Sequence, residues 1–183
     1  MDIFVQQLIN GLTLGSVYAV VALGYTMVYG IVQLINFAHG EVVMIGTMVA
    51  FSTLTALVGA KVDLHPLMMI VAATLMAIPV CMAVGYGMER IAYRPLRKAP
   101  RLAPLITAIG ISIIFQHVAM MIWSRNNLAF PQVVKVVPYA VTSGDNAATI
   151  TNIQIGIILV SVIMMLGLLA LIHKTKLGIA MRA

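Results

Sequence analysis

Residues 35–42 of the chain read INFAHGEV. Asn36, His39 and Glu41 bring an amide, an imidazole and a carboxylate into an apolar stretch, and Glu41 is the sole residue charged at pH 7 between Ile3 and Ala60. Such a trio could have a job, acid–base work among the options; it could also simply end one helix and start the next. A second set lies downstream, where Ala108, Ser112 and Gln116 recur every fourth position and give one helix a small, polar face. That face suits either hydrogen bonding between helices or the wall of a translocation path, because polar groups inside membrane spans are costly and usually have a reason. Metal and nucleophile chemistry finds less support, since HExxH, CxxC, GxSxG and the P-loop pattern are all absent. His39 and Glu41, two residues apart, would point about 200° away from each other on a helix. No catalytic residue and no metal ligand is therefore expected in this chain.

The elements that must position these residues are set by the solvent. The sequence is 62% hydrophobic and 9% charged, with a mean hydropathy of +1.06, against about 25% charged residues in ordinary soluble domains. Runs free of Asp, Glu, Lys and Arg cover 3–40, 42–60, 66–88, 102–124 and 146–173. Each is long enough for the ~20 residues that cross a hydrocarbon core. They lack the period-2 alternation of barrel strands, which leaves helices as the structure that satisfies its own backbone in lipid. The expected fold is all-α: a polytopic transmembrane helical bundle of about five spans in one domain, 1–183. Residues 3–40 are too long for one perpendicular helix and barely enough for two, so a broken or re-entrant helix near the N-terminus is one option and a single long tilted helix the other. The single cysteine, Cys81, lies within an apolar run, which rules out a disulfide framework.

Charge gives direction. Arg90, Arg94, Arg97, Lys98 and Arg101 crowd into ERIAYRPLRKAPR, read here as a loop, and Lys174, Lys176 and Arg182 follow the last apolar run. Basic loops stay in the cytoplasm, so the net charge of +6 is an orientation signal and no mark of nucleic-acid binding. The 61–65 link and the 125–152 segment then face outward. Residues 66–88 run out to in, 102–124 in to out, and 153–172 out to in. Residues 42–60 run in to out, which sets the INFAHGEV turn near the cytoplasmic side. His65 and His173 fall on opposite faces of the membrane. The side of the N-terminus stays open: one long helix puts it outside, an extra break puts it inside.

Lipid supplies no hydrophobic drive between helices, so small residues that let backbones approach are the expected packing sites. Gly11, Gly15 and Ala19 form one such stripe at every fourth position, and Ala73, Ala77, Cys81 and Gly85 form another. For the octet, a purely structural reading has Asn36 or Gly40 breaking a helix while Glu41 complements the dipole of the next. A turn alone, however, needs neither His39 nor a carboxylate.

Three segments together resemble one family. GLTLGSVYAVVALGYTMVYGIVQLINFAHGEVVMIG (11–46), ERIAYRPLRKAPRLAPLITAIGISIIFQ (89–116) and TKLGIAMRA (175–183) are similar to the LivH-type permeases, membrane subunits of branched-chain amino acid ABC importers. The resemblance covers nearly the whole chain and is least diagnostic over 125–152. It implies a multi-pass protein of the bacterial inner membrane that carries leucine, isoleucine or valine by alternating access. It further implies a second, related permease subunit, two cytoplasmic ATPase subunits that bind the ATP, and a periplasmic amino-acid-binding protein; this chain itself would bind no cofactor. Asn36, His39, Glu41 and Gln116 would border the path or its inner gate. Lys174, Lys176, Gly178 and Arg182 would lie on the cytoplasmic surface facing the ATPases, in the opening of a coupling loop. The sequence stops at Ala183 within that loop, so an N-terminal portion of such a permease is expected. A passive channel or scaffold subunit, and an intramembrane enzyme using His39 and Glu41, are the rival readings.

Overall fold

The computed structural model describes residues 2–32, 36–61, 65–96, 99–100, 102–140 and 148–174. Five helices account for most of them: α1 (Asp2–Val32), α2 (His39–Gly59), α3 (Pro66–Met88), α4 (Leu102–Ile122) and α5 (Asn152–Lys174). All five are long and apolar enough to cross a membrane. Their outer faces carry large apolar side chains, with Ile3 77% and Met121 84% exposed. In water such a surface would drive aggregation; here it is what lipid or another apolar helix would cover. The chain is a multi-pass helical membrane protein. Of the two options for the N-terminal run, the structure takes the single helix: α1 continues unbroken through Gly24 and Gly30 for 31 residues, about 46 Å at 1.5 Å per residue.

The helices fall into two compact units, one holding α1, α5 and the segment before α5, the other holding α2, α3 and α4. In the first, α1 packs along α5. A short antiparallel pair, β1 (Pro138–Ala140) with β2 (Thr149–Thr151), leads into α5 in the register Pro138 to Thr151. Sequence periodicity gave no sign of it, because each strand is three residues long. The start of α5 is closed by a reciprocal capping box: the Gln154 N–H donates to Thr151 Oγ1 at 3.2 Å, and the Thr151 N–H donates to Gln154 Oε1 at 2.9 Å. Asn152 ties the strand to the helix, accepting from the Val137 N–H at 3.1 Å and donating to the Lys135 carbonyl at 2.9 Å. On α1, Gln6 Oε1 accepts from the Thr149 N–H at 2.8 Å and Asn10 Oδ1 accepts from Gln154 Nε2 at 3.1 Å. The N-terminal ends of α1 and α5 therefore lie together, and the two helices run parallel.

In the second unit α2 and α3 form an antiparallel pair. Leu54 of α2 is buried against Met69 and Ala73 of α3, flanked by Ala50, Leu57 and Val133. Two turns further along, Cys81 Sγ lies 3.6 Å from the Val42 carbonyl, to which it donates, and a Cβ placed on Gly46 would stand 2.7 Å from that sulfur. Ala73 and Cys81 of the second small-residue stripe thus meet α2, whereas a Cβ at Gly85 would meet nothing within 4 Å. The same is true of Gly11 and Gly15 on α1; Ala19 and Ala77 are half-buried. At its outer end α4 is pinned to α2 by Trp123, whose indole N–H donates to Ser52 Oγ at 2.6 Å, and Phe51 meets Phe130 edge to face at 5.5 Å.

One expectation is corrected. The basic segment after α3 is not simply a loop, since helix continues to Leu96 through a wider turn over Glu89–Tyr93, closed by the Arg94 N–H on the Glu89 carbonyl, and a tight turn over Arg94–Leu96. Glu, Arg, Ala and Leu are good helix formers, so charge alone does not end the helix. Arg90 lies over the Tyr86 ring, 5.8 Å from its centroid, and also donates to the Tyr86 hydroxyl.

Candidate functional site

The octet folds as a tight entry into α2. Asn36 Oδ1 accepts from the Ala38 N–H at 3.0 Å, and the Asn36 carbonyl accepts from the His39 N–H at 3.1 Å. This is the local turn that asparagine side chains favour, and it releases the chain into helix at His39. Asn36 Oδ1 has a second donor at 2.7 Å in the hydroxyl of Tyr93, from the helical extension beyond α3. Ala38 is wholly buried beneath this arrangement. Asn36 thus anchors the turn.

Glu41 points at α4. Its Oε1 accepts from the Ser112 hydroxyl at 2.8 Å and from Gln116 Nε2 at 2.7 Å. Of the sequence candidates, these contacts bring Glu41 and Gln116 together with Ser112, the middle member of the polar face on α4. Ala108 on the same face is fully buried, while Gln116 is exposed and Glu41 half-buried. His39 stands at the first position of α2, half-buried. His117 is turned back on its own helix, its Nδ1 2.8 Å from the Ile113 carbonyl. Tyr93 was not among the sequence candidates; in an arginine-rich segment its polar tip gave no sign of a partner 57 residues away.

The cluster lies well inside its helices. Ser112 lies ten residues into α4 from Leu102, about 15 Å along the axis, and Gln116 about 21 Å. A second register agrees: Val42 is level with Cys81, and helix continues from there to Leu96, a further ~20 Å or so. Glu41 therefore meets α4 about midway along that helix, while the turn before it reaches through Asn36 to Tyr93, next to Arg94. The order of charged segments sets the turn near the cytoplasmic side, and the Asn36–Tyr93 hydrogen bond joins it to the basic extension on which that order rests. A carboxylate among membrane-spanning helices is tolerated where it faces protein or a water-filled cavity.

Among the described residues no group of three His, Cys, Asp or Glu side chains could hold a metal ion. Lys174, the last residue of α5, is exposed. Lys176, Gly178 and Arg182 lie outside the described residues.

Five apolar helices and a carboxylate hydrogen-bonded to the middle of α4 define a polytopic membrane protein with a polar site among its helices, the class to which channels and transporters belong. Comparison with known proteins gives the family. Residues 7–183 match the family described as branched-chain amino acid transport system / permease component, and the chain belongs to it. Over 180 residues it is 47% identical to the high-affinity branched-chain amino acid transport system permease protein BraD of Pseudomonas aeruginosa. It is 43% identical over 181 residues to the corresponding permease protein LivH of Salmonella typhimurium, and 42% over 180 residues to LivH of Escherichia coli. Each match takes in 98% of this chain and 58% of the relative. No solved structure matches the chain.

Proposed function

We propose that the chain forms part of the translocation path of an ATP-driven importer for branched-chain amino acids in the bacterial inner membrane. The substrate class rests on the relatives, which are named as high-affinity permeases for such amino acids. The observation that carries the path reading is the Glu41–Ser112–Gln116 cluster, held between the start of α2 and the middle of α4. Packing glue between α2 and α4 needs no carboxylate, and a helix start needs no pair of donors from another helix. Glu41 and Gln116 border the path, with Asn36 fixing the turn below them and His39 at its edge. The protein works with a second, related permease subunit, two cytoplasmic ATPase subunits and a periplasmic binding protein. ATP is bound and hydrolysed by the ATPases, and this chain catalyses nothing. The cytoplasmic end of α5 from Lys174, with Lys176, Gly178 and Arg182, faces the ATPases.

The test is uptake of labelled leucine by the assembled transporter in proteoliposomes. Uptake is expected to require ATP together with the binding protein. Leucine flux that ignores both would leave a passive channel, and no flux in an intact assembly would leave a scaffold.

A further inference from the structure

The Glu41 cluster is lopsided in a way that names the chemistry of its ligand. Both donors fall on one oxygen, Oε1, and Oε2 accepts no hydrogen bond from the described residues. No buried side-chain oxygen or nitrogen among those residues lacks a partner, so Oε2 is reachable and not sealed in. The donors are spent in the same direction: the Ser112 hydroxyl proton and one Gln116 N–H both go to Oε1. What remains is three acceptors, namely Glu41 Oε2, Gln116 Oε1 and the lone pairs of Ser112 Oγ, beside one unspent N–H of Gln116. No Lys, Arg or His pairs with Glu41 among the described residues, and a carboxylate without a counter-charge inside a span is costly.

We propose that this set binds the primary ammonium group of the transported amino acid, with Glu41 Oε2 as the charged partner and Gln116 Oε1 and Ser112 Oγ as neutral ones. An ammonium carries three donors and no acceptor, which matches an acceptor cluster with one negative member. The proposal rests on the transport reading above and adds the substrate group recognised and the atoms that recognise it. It makes Glu41 the counter-ion that offsets the substrate's charge, while Ser112 and Gln116 contact the ammonium through their oxygens and also hold the carboxylate's orientation through Oε1.

The test uses the assembled wild-type transporter, purified in detergent so that both faces meet solute, and reads carbodiimide labelling of Glu41 by mass spectrometry. Leucine and leucine methyl ester, which share the ammonium, should slow labelling at least threefold. 4-Methylpentanoate, which keeps the side chain and carboxylate without the ammonium, should leave it unchanged. Equal protection by 4-methylpentanoate, or none by leucine, overturns the proposal. Protection by sodium chloride alone to the level given by leucine overturns it in favour of a metal-cation site. A Glu41 that resists labelling with no ligand present overturns it in favour of a basic residue on a partner subunit. In parallel, Glu41→Gln should lower leucine uptake at least tenfold with the complex still recovered intact; wild-type uptake in this variant also overturns the proposal. If Glu41→Gln fails to assemble, the wild-type labelling pattern decides. Wild-type transporter that takes up no leucine strikes the transport reading itself, whereas intact uptake with labelling indifferent to leucine strikes this inference alone.

Discussion

Tyr93 and Asn36 show what one hydrogen bond does at the scale of the residue. Asn36 Oδ1 receives two donors, the Ala38 N–H that makes the turn and the Tyr93 hydroxyl that ties the turn to the extension beyond α3. Tyr93→Phe removes one of them and leaves the local turn intact. A typical net hydrogen bond contributes about 1 kcal/mol, so the variant should lose about that much in thermal or denaturant stability of the purified transporter. A loss near zero would mean that the turn is held by the Ala38 contact alone. Half of the polar cluster was legible in the sequence: Ala108, Ser112 and Gln116 declare a face by spacing, and Glu41 declares itself as a lone charge in an oily run. Their meeting was not legible, because Glu41 is 71 and 75 residues from its donors, and spacing rules reach only along one helix.

Gly46 and Cys81 decide how closely two elements approach. The 2.7 Å between a Cβ at Gly46 and the Cys81 sulfur is shorter than any ordinary contact, so Gly46→Ala should push α2 off α3 and cost about 1–3 kcal/mol. Cys81→Ala in the same chain removes the sulfur and should recover most of that loss, a coupling that a double-mutant cycle on thermal stability would read. Equal losses with and without Cys81 would place the cause in the glycine's backbone and not in the packing. Small-residue spacing found Cys81 but not its partner, and it gave equal weight to Gly11 and Gly15, where an added Cβ meets nothing within 4 Å. A stripe of small residues says that a backbone can come close. It does not say whose. Helix ends were misread for a related reason: composition marks where charge begins, whereas the backbone continues until hydrogen bonding fails, which for α3 is eight residues later, at Leu96.

At the scale of the whole molecule, the five spans were visible in hydropathy, but the side of the N-terminus was not, because residues 3–40 carry no charge to bias it until Glu41. The structure supplies the missing constraint inside one unit. Gln6 and Asn10 of α1 bond to Thr149 and Gln154 at the start of α5, so whichever way α5 crosses, α1 crosses too. α5 ends in His173 and Lys174, and the extension of α3 carries Arg90 and Arg94; basic residues of this kind mark the cytoplasmic side. Asp2 should then be outside. With the sole native cysteine removed as Cys81→Ala, a cysteine at Asp2 or Asn126 should react with a membrane-impermeant maleimide in spheroplasts, and one at Arg94 or Lys174 should react after permeabilisation alone. Labelling of position 2 from the inside, with Lys174 also inside, would be incompatible with parallel α1 and α5, since both ends of that pair would then have to lie on one face of the membrane.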